Sequence, residues 1–209
     1  VGPTVSDPPG AHVKNIADPE ARARAQAASE GPGARGEKVA NPGQAKAGMR
    51  AARPGTFLLE DGFRFEDEDG MPVAAMSSNV GGMAAHWTGA CPRPGGSERI
   101  DFLPDLDDLL TDAERLLGVT TDAFDAAPFG QIVRDRLSVA VDDGRTAETR
   151  VQRMPLAAHR RDDGRLVWSG SDVVLGDVTR DNPAFDLFDE SLVTRVLTED
   201  GHATGVEVR

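Results

Sequence analysis

The chain has a single cysteine, Cys91, in 209 residues. One cysteine excludes an internal disulfide framework and carries no information on redox compartment. Cationic side chains are also scarce: 23 Lys and Arg stand against 35 Asp and Glu, a formal charge of −12. No basic stripe is available to neutralise phosphates, so a nucleic-acid partner is excluded. A solvated acidic surface is the simplest reading of that charge. No apolar run approaches the roughly 20 residues that a membrane span needs. The N-terminus lacks a basic-then-apolar leader pattern. A soluble, cytoplasmic protein without a membrane partner is the expectation. With the lone cysteine, the histidines His12, His86, His159 and His202 are too scattered for a zinc centre, and no metal site is expected. Val80-Gly81-Gly82 is not the G-x-G-x-x-G fingerprint of a dinucleotide site, and no internal repeat marks a solenoid.

Helix and turn signals are clear in places. Asp18-Pro19-Glu20 reads as a helix start, with a capping side chain, proline at the first helical position and an acid in the first turn; the helix is expected through Ala28. Residues 31–55 are rich in Gly, Ala, Pro and Lys and poor in large apolar side chains, which reads as a mobile loop or insertion. Phe57, Phe63 and Phe65 lie among acids, as in a short strand pair or an aromatic-packed loop. Residues 105–117 place Leu106, Leu109, Leu110, Ala113, Leu116 and Leu117 on one helical face. Residues 126–139 predict a second helix with Phe129, Ile132, Val133 and Leu137 facing inward. Residues 146–156 alternate weakly and predict a strand closed by Met154-Pro155, and Ser169-Gly170-Ser171-Asp172 opens a short helix through Leu175 before a turn at Asn182-Pro183. A hairpin is expected around Glu199-Asp200-Gly201. The strand-like beginning at Val1-Gly2-Pro3 and the stop at Arg209 read as cut ends of an internal segment.

Chemistry concentrates in Ser77-Ser78-Asn79-Val80-Gly81-Gly82-Met83-Ala84-Ala85-His86-Trp87-Thr88. Paired glycines let backbone amides approach a flat or anionic ligand because no Cβ intervenes. His86, Trp87 and Thr88 then offer an imidazole, an apolar wall and a hydroxyl, a set suited to the rim of an aromatic redox cofactor. Taken alone, a histidine is most simply a surface or hydrogen-bonded core residue, and a glycine pair marks many turns. Cys91 precedes a proline, lacks a base signature and reads as a small buried hydrophobe. Val193 by itself is a β-branched sheet residue. Arg160-Arg161 reads as solvated surface, and Trp168 and Phe188 read as core.

The segment from Gly81 to Thr88 resembles the Gly-Gly-Met-x-x-His-Trp-Thr motif of pyranose oxidases within the glucose-methanol-choline (GMC) flavoenzymes. Further pieces line up in the same order. Pro8-Pro9-Gly10-Ala11-His12-Val13-Lys14-Asn15 is similar to the segment after the second strand of the nucleotide-binding half. Met154-Pro155-Leu156-Ala157-Ala158 through Arg161, then Trp168-Ser169, is similar to the family's Pro-Leu-Ala-x-x-Arg-Arg and Trp-Ser stretches. Phe185-Asp186-Leu187-Phe188 resembles the lead into the strand with adenine contacts.

The resemblance implies a mixed α/β (α+β) fold: an incomplete FAD-binding Rossmann-like domain of GMC type with part of the substrate domain. Residues 1–30 would belong to the FAD-binding domain, 31–70 to a mobile insertion, 71–100 to a flavin-contacting segment, 101–180 to a helical and substrate-domain part, and 181–209 to a return into the FAD-binding domain. It implies FAD as cofactor, with Val80, Gly81, Gly82, Met83, His86, Trp87, Thr88 and Val193 around it. Some members bond the histidine covalently to the flavin ring. Here Ala85 stands where the fungal enzymes carry threonine and Gly89 where they carry cysteine. The activity implied is oxidation of a secondary hydroxyl of a sugar or glycoside to a ketone. Oxygen, a quinone or a dye would accept the electrons, and a homo-oligomer is compatible with it. The proton-abstracting His/Asn pair of the family has no counterpart here, so no residue of this chain is assigned to catalysis and the chain alone is expected to be inactive. A GMC-type alcohol or sugar-acid dehydrogenase with another acceptor, and an inactive structural or interaction module, stand as alternatives.

Overall fold

The computed structural model describes residues 2–31, 37–38, 51–58 and 75–209. Most of the expected insertion at 31–70, including Phe63 and Phe65, lies outside the described residues. The chain divides into two compact units, one of residues 1–87 and 170–209, the other of residues 88–169. Every sheet among the described residues is two-stranded, which makes the fold mixed α/β.

In the first unit, α1 spans Pro19–Ser29. The Asp18 carboxylate accepts the Ala21 N–H at 2.7 Å and Pro19 opens the helix, as the sequence predicts. Its buried side is built from small residues, Ala25 and Ser29, and the Ser29 hydroxyl donates to the Ala25 carbonyl at 2.8 Å. Small side chains bring neighbouring backbone close: the Ser78 N–H donates to the Ser29 carbonyl at 2.7 Å. Four two-residue strands follow, β1 (Glu37–Lys38) parallel to β2 (Ala51–Ala52), and β3 (Phe57–Leu58) antiparallel to β4 (Ala75–Met76). Ala11, His12, Val13, Leu58, Val80 and Ala85 are buried.

In the second unit, α2 spans Leu106–Leu117 and ends on Gly118 in the left-handed region (φ 62°), whose N–H caps the Arg115 and Glu114 carbonyls. α3 spans Gly130–Val141. Its expected inner face is not covered: Phe129, Ile132, Val133 and Leu137 are all exposed. The amphipathic stripe exists, but no described element packs on it. The expected strand at 146–156 is absent as well. A 3₁₀ turn occupies Ala147–Thr149, and backbone groups there pair with side chains instead of a ladder. The Val151 N–H goes to Asp142 Oδ1, and Gln152 Nε2 donates to the Glu148 carbonyl. Only Leu156 makes isolated bridges, to Ala90 and Thr120. A short hairpin, β5 (Ala158–Arg160) with β6 (Leu166–Trp168), completes the unit. Trp168 is half-buried beside Phe124, ring centroids 6.0 Å apart, with Gly89 against its edge. Cys91 is half-buried rather than buried, its thiol donating to the Gly89 carbonyl at 3.4 Å, and burial pushes its pKa up. Arg160 and Arg161 are exposed, as expected.

The chain re-enters the first unit at Gly170. α4 spans Ser171–Arg180 and breaks at Gly176 (φ 74°), so its first helical stretch ends at Leu175 as the sequence predicts. Phe188, expected in the core, is 73% exposed. Strands β7 (Val193–Glu199) and β8 (His202–Val208) form the anticipated hairpin. Asp200 and Gly201 both have positive φ, 49° and 79°, which gives the loop the twist that matches paired strands.

Candidate functional site

Asn79 to Trp87 form one tight turn in the first unit. The Val80 N–H donates to the Pro3 carbonyl at 3.0 Å, and Gly81 (φ 90°) caps a 3₁₀ turn over Gly82–Ala85. The two glycines do different work. A Cβ on Gly81 would fall 2.6 Å from Ser171 Oγ and 2.8 Å from Gly10 Cα; a Cβ on Gly82 (φ 51°) would meet nothing within 4 Å. Gly81 is therefore required by packing within the protein, where it meets Gly10 and the start of α4. Gly82 presents bare backbone to open space.

His86 ends the turn, its N–H donating to the Met83 carbonyl at 2.9 Å. Its side chain is 8% exposed, and neither Nδ1 nor Nε2 has a hydrogen-bond partner among the described residues. Burial lowers its pKa to about 4, against a smaller opposing pull from the Glu30 carboxylate. The imidazole is thus neutral at neutral pH, with both nitrogens unsatisfied by the described residues. Such a group costs roughly 1–3 kcal/mol unless something pairs with it. The ring lies against Gly55, where a Cβ would sit 2.4 Å from Cε1 and Nδ1.

His12 is the second buried imidazole, and its ring is fully tied. Nδ1 accepts the Lys14 N–H at 3.1 Å and Nε2 lies 3.0 Å from the Trp87 carbonyl. An acceptor at Nδ1 leaves the proton on Nε2, so the ring is neutral and donates to Trp87. Burial holds its pKa down at about 4, the Trp87 carbonyl raising it and Lys14 and His86 lowering it.

Of the residues singled out from sequence, Val80 through Trp87 come together in this turn. Val80 is buried, Gly81, Gly82 and Trp87 are half-buried and Met83 is exposed. Thr88 begins the second unit and is exposed. Val193 stands in the hairpin, half-exposed and paired with Val208. Sequence reasoning missed Gly10, Gly55 and Ser171 as partners of the turn. Only Gly10 and His12 carried a signal, in the Pro8-to-Asn15 segment. Among the described residues no group of His, Cys, Asp and Glu could hold a metal ion, and no helix is long and apolar enough to cross a membrane. A buried imidazole without a partner among the described residues, in one turn with a glycine that presents open backbone, fits an ordered aromatic ligand with polar edges.

No protein-family model matches the chain. The chain is similar over its full length to curated proteins. A C-glycoside 3-oxidase of Arthrobacter globiformis is 73% identical over 209 residues, covering all of this chain and 40% of the relative. A C-glycoside 3-oxidase of Microbacterium trichothecenolyticum is 69% identical over 211 residues, again all of this chain and 41% of the relative. A pyranose 2-oxidase of Tricholoma matsutake is 37% identical over 141 residues, 65% of this chain and 24% of the relative. The chain belongs to this family of glycoside and pyranose oxidases, which are oxidoreductases of the GMC type. It spans about two fifths of the length of the two bacterial relatives.

Proposed function

We propose that the protein is an FAD-dependent oxidoreductase that oxidises a secondary hydroxyl of a sugar or glycoside to a ketone. The observation that carries this reading is His86: a buried imidazole whose two nitrogens have no hydrogen-bond partner among the described residues, in the same turn as the open backbone of Gly82. The names of the bacterial relatives point to the same substrate class and to attack at position 3 of a C-glycoside.

Bound flavin would supply the hydride acceptor at N5. Gly82 and Met83 would offer backbone to the ring, and Val80 and Gly81 would hold that backbone in place. Trp87 would wall the ring, Thr88 would bring its hydroxyl to the N5 and O4 region, and Val193 would meet the adenine through its main chain. Neutral His86 would face the dimethylbenzene edge, where a free ring nitrogen is the form able to bond a ring methyl. The first unit would be part of a Rossmann-like FAD domain. The base that takes the hydroxyl proton has no counterpart in this chain, so the complete protein is needed for turnover.

The test is the full-length protein expressed and purified. A flavin absorption band and a keto product from a C-glycoside, with oxygen consumed or a dye reduced, are the expected results. A colourless protein refutes the proposal. Colour retained in the acid-precipitated pellet, and released to the supernatant in the His86→Ala variant, assigns a covalent bond to His86; colour released from the unaltered protein assigns a non-covalent cofactor.

A further inference from the structure

We propose that His12 is a positioning residue: through its Nε2–H it holds the Trp87 carbonyl and so fixes the His86-Trp87 backbone toward the cofactor. The inference rests on the flavin reading above. His12 is 1% exposed and reaches across 75 positions of sequence to Trp87. His86 makes no hydrogen bond through its own ring among the described residues, so its aim is set by the backbone that carries it. That backbone is anchored on one side by the His86 N–H to Met83 and on the other by His12 at the Trp87 carbonyl, two peptides further on. The His12 ring is itself fixed by the Lys14 N–H on Nδ1. It sits two residues past Gly10, whose carbonyl receives the Ser171 hydroxyl at 3.3 Å and whose Cα packs on Gly81. One segment thereby braces both ends of the turn, Gly81 by backbone packing and Trp87 by a charge-neutral hydrogen bond. A bond from a buried ring holds geometry more firmly than one between exposed groups.

The two imidazole nitrogens have separate mimics. Asparagine can accept the Lys14 N–H from the Nδ1 position but cannot reach Trp87; glutamine can extend a donor to Trp87 from the Nε2 position. In the full-length holoprotein, the His12→Asn variant is expected to lose kcat on the order of tenfold to a hundredfold and to shift the visible band and fluorescence of the bound flavin. The His12→Gln variant is expected to restore both. Equal behaviour of the two variants overturns the role, because it would then rest on the local Lys14 cap or on bulk alone. Should neither variant fold, nitrogen-15 histidine NMR on the wild-type protein decides. A neutral Nε2–H tautomer for His12 at pH 7 supports the strut, and an Nδ1–H tautomer or a cation overturns it. A colourless wild-type protein defeats the flavin reading, whereas a yellow wild type with indistinguishable variants defeats only this one.

Discussion

Gly55 lies so close beneath the His86 ring that a single methyl there would sit 2.4 Å from Cε1 and Nδ1. The atoms met belong to the buried His86 ring, which would have to move to admit the methyl. Gly55 also has φ 87°, and its N–H donates to Glu30 Oε1 at 3.2 Å. The Gly55→Ala variant is therefore expected to displace the His86 ring and cost roughly 2–4 kcal/mol, from a left-handed alanine and from overpacking. In the full-length protein it should also weaken flavin retention. Thermal unfolding and the flavin-to-protein absorbance ratio measure the two effects.

The twin glycines should separate under mutation. Gly81→Ala places a Cβ against Ser171 Oγ and Gly10 Cα, both under 3 Å, and is expected to destabilise by roughly 2–4 kcal/mol. Gly82→Ala meets no atom within 4 Å, so it should cost about 1–2 kcal/mol through its positive φ alone. Its effect should appear in cofactor affinity instead. Chemical denaturation of both variants, with and without added FAD, distinguishes folding loss from binding loss; equal loss of stability in the two would contradict this division.

Acid should destabilise the first unit through its buried imidazoles. The His12 pKa falls from 6.5 to about 4 on folding. Above pH 6.5 the ring is neutral in both folded and unfolded chains, and the full stability is present. Between pH 6.5 and about 4 the unfolded chain takes up a proton that the folded chain refuses, so stability declines as pH falls, and the decline levels off below about 4. The loss for one such histidine is at most about 3 kcal/mol. Tm measured across that window should fall, and the His12→Gln variant should show a shallower slope. An unchanged slope would assign the acid sensitivity elsewhere, to His86 first.

The hairpin leaves apolar side chains uncovered on both faces. Val193, Val196, Leu197, Val206 and Val208 are each 40–55% exposed. A two-stranded hairpin with bare faces and edges is marginal in water and a template for further pairing. The 209-residue chain expressed by itself is expected to self-associate and to bind a hydrophobic dye. Replacing Val196 and Leu197 together by Thr should reduce both. Sedimentation velocity and dye fluorescence check this, and a monodisperse, dye-silent chain would contradict it.

Local sequence determined the elements whose causes are local. The Asp18-Pro19 helix start, the Gly118 stop of α2, the break of α4 after Leu175 and the Asp200-Gly201 turn each follow from a cap, a ring constraint or a positive φ encoded within a few residues. The same holds for the turn at Gly81-Gly82 and for the His86-Trp87 pair beside it. Amphipathic spacing identified α3, but periodicity says only that a helix has an apolar side; whether that side is covered depends on what else is present, and Phe129 through Leu137 lie open. The strand anticipated at 146–156 failed because side chains of Asp142 and Gln152 took the backbone partners that a ladder would need. Only the tertiary structure decided which glycine packs and which stays open, and that His12 ties to Trp87 while the His86 ring finds no hydrogen-bond partner among the described residues. Those outcomes depend on contacts between residues 31 to 161 positions apart, and no local pattern encodes a meeting at that range.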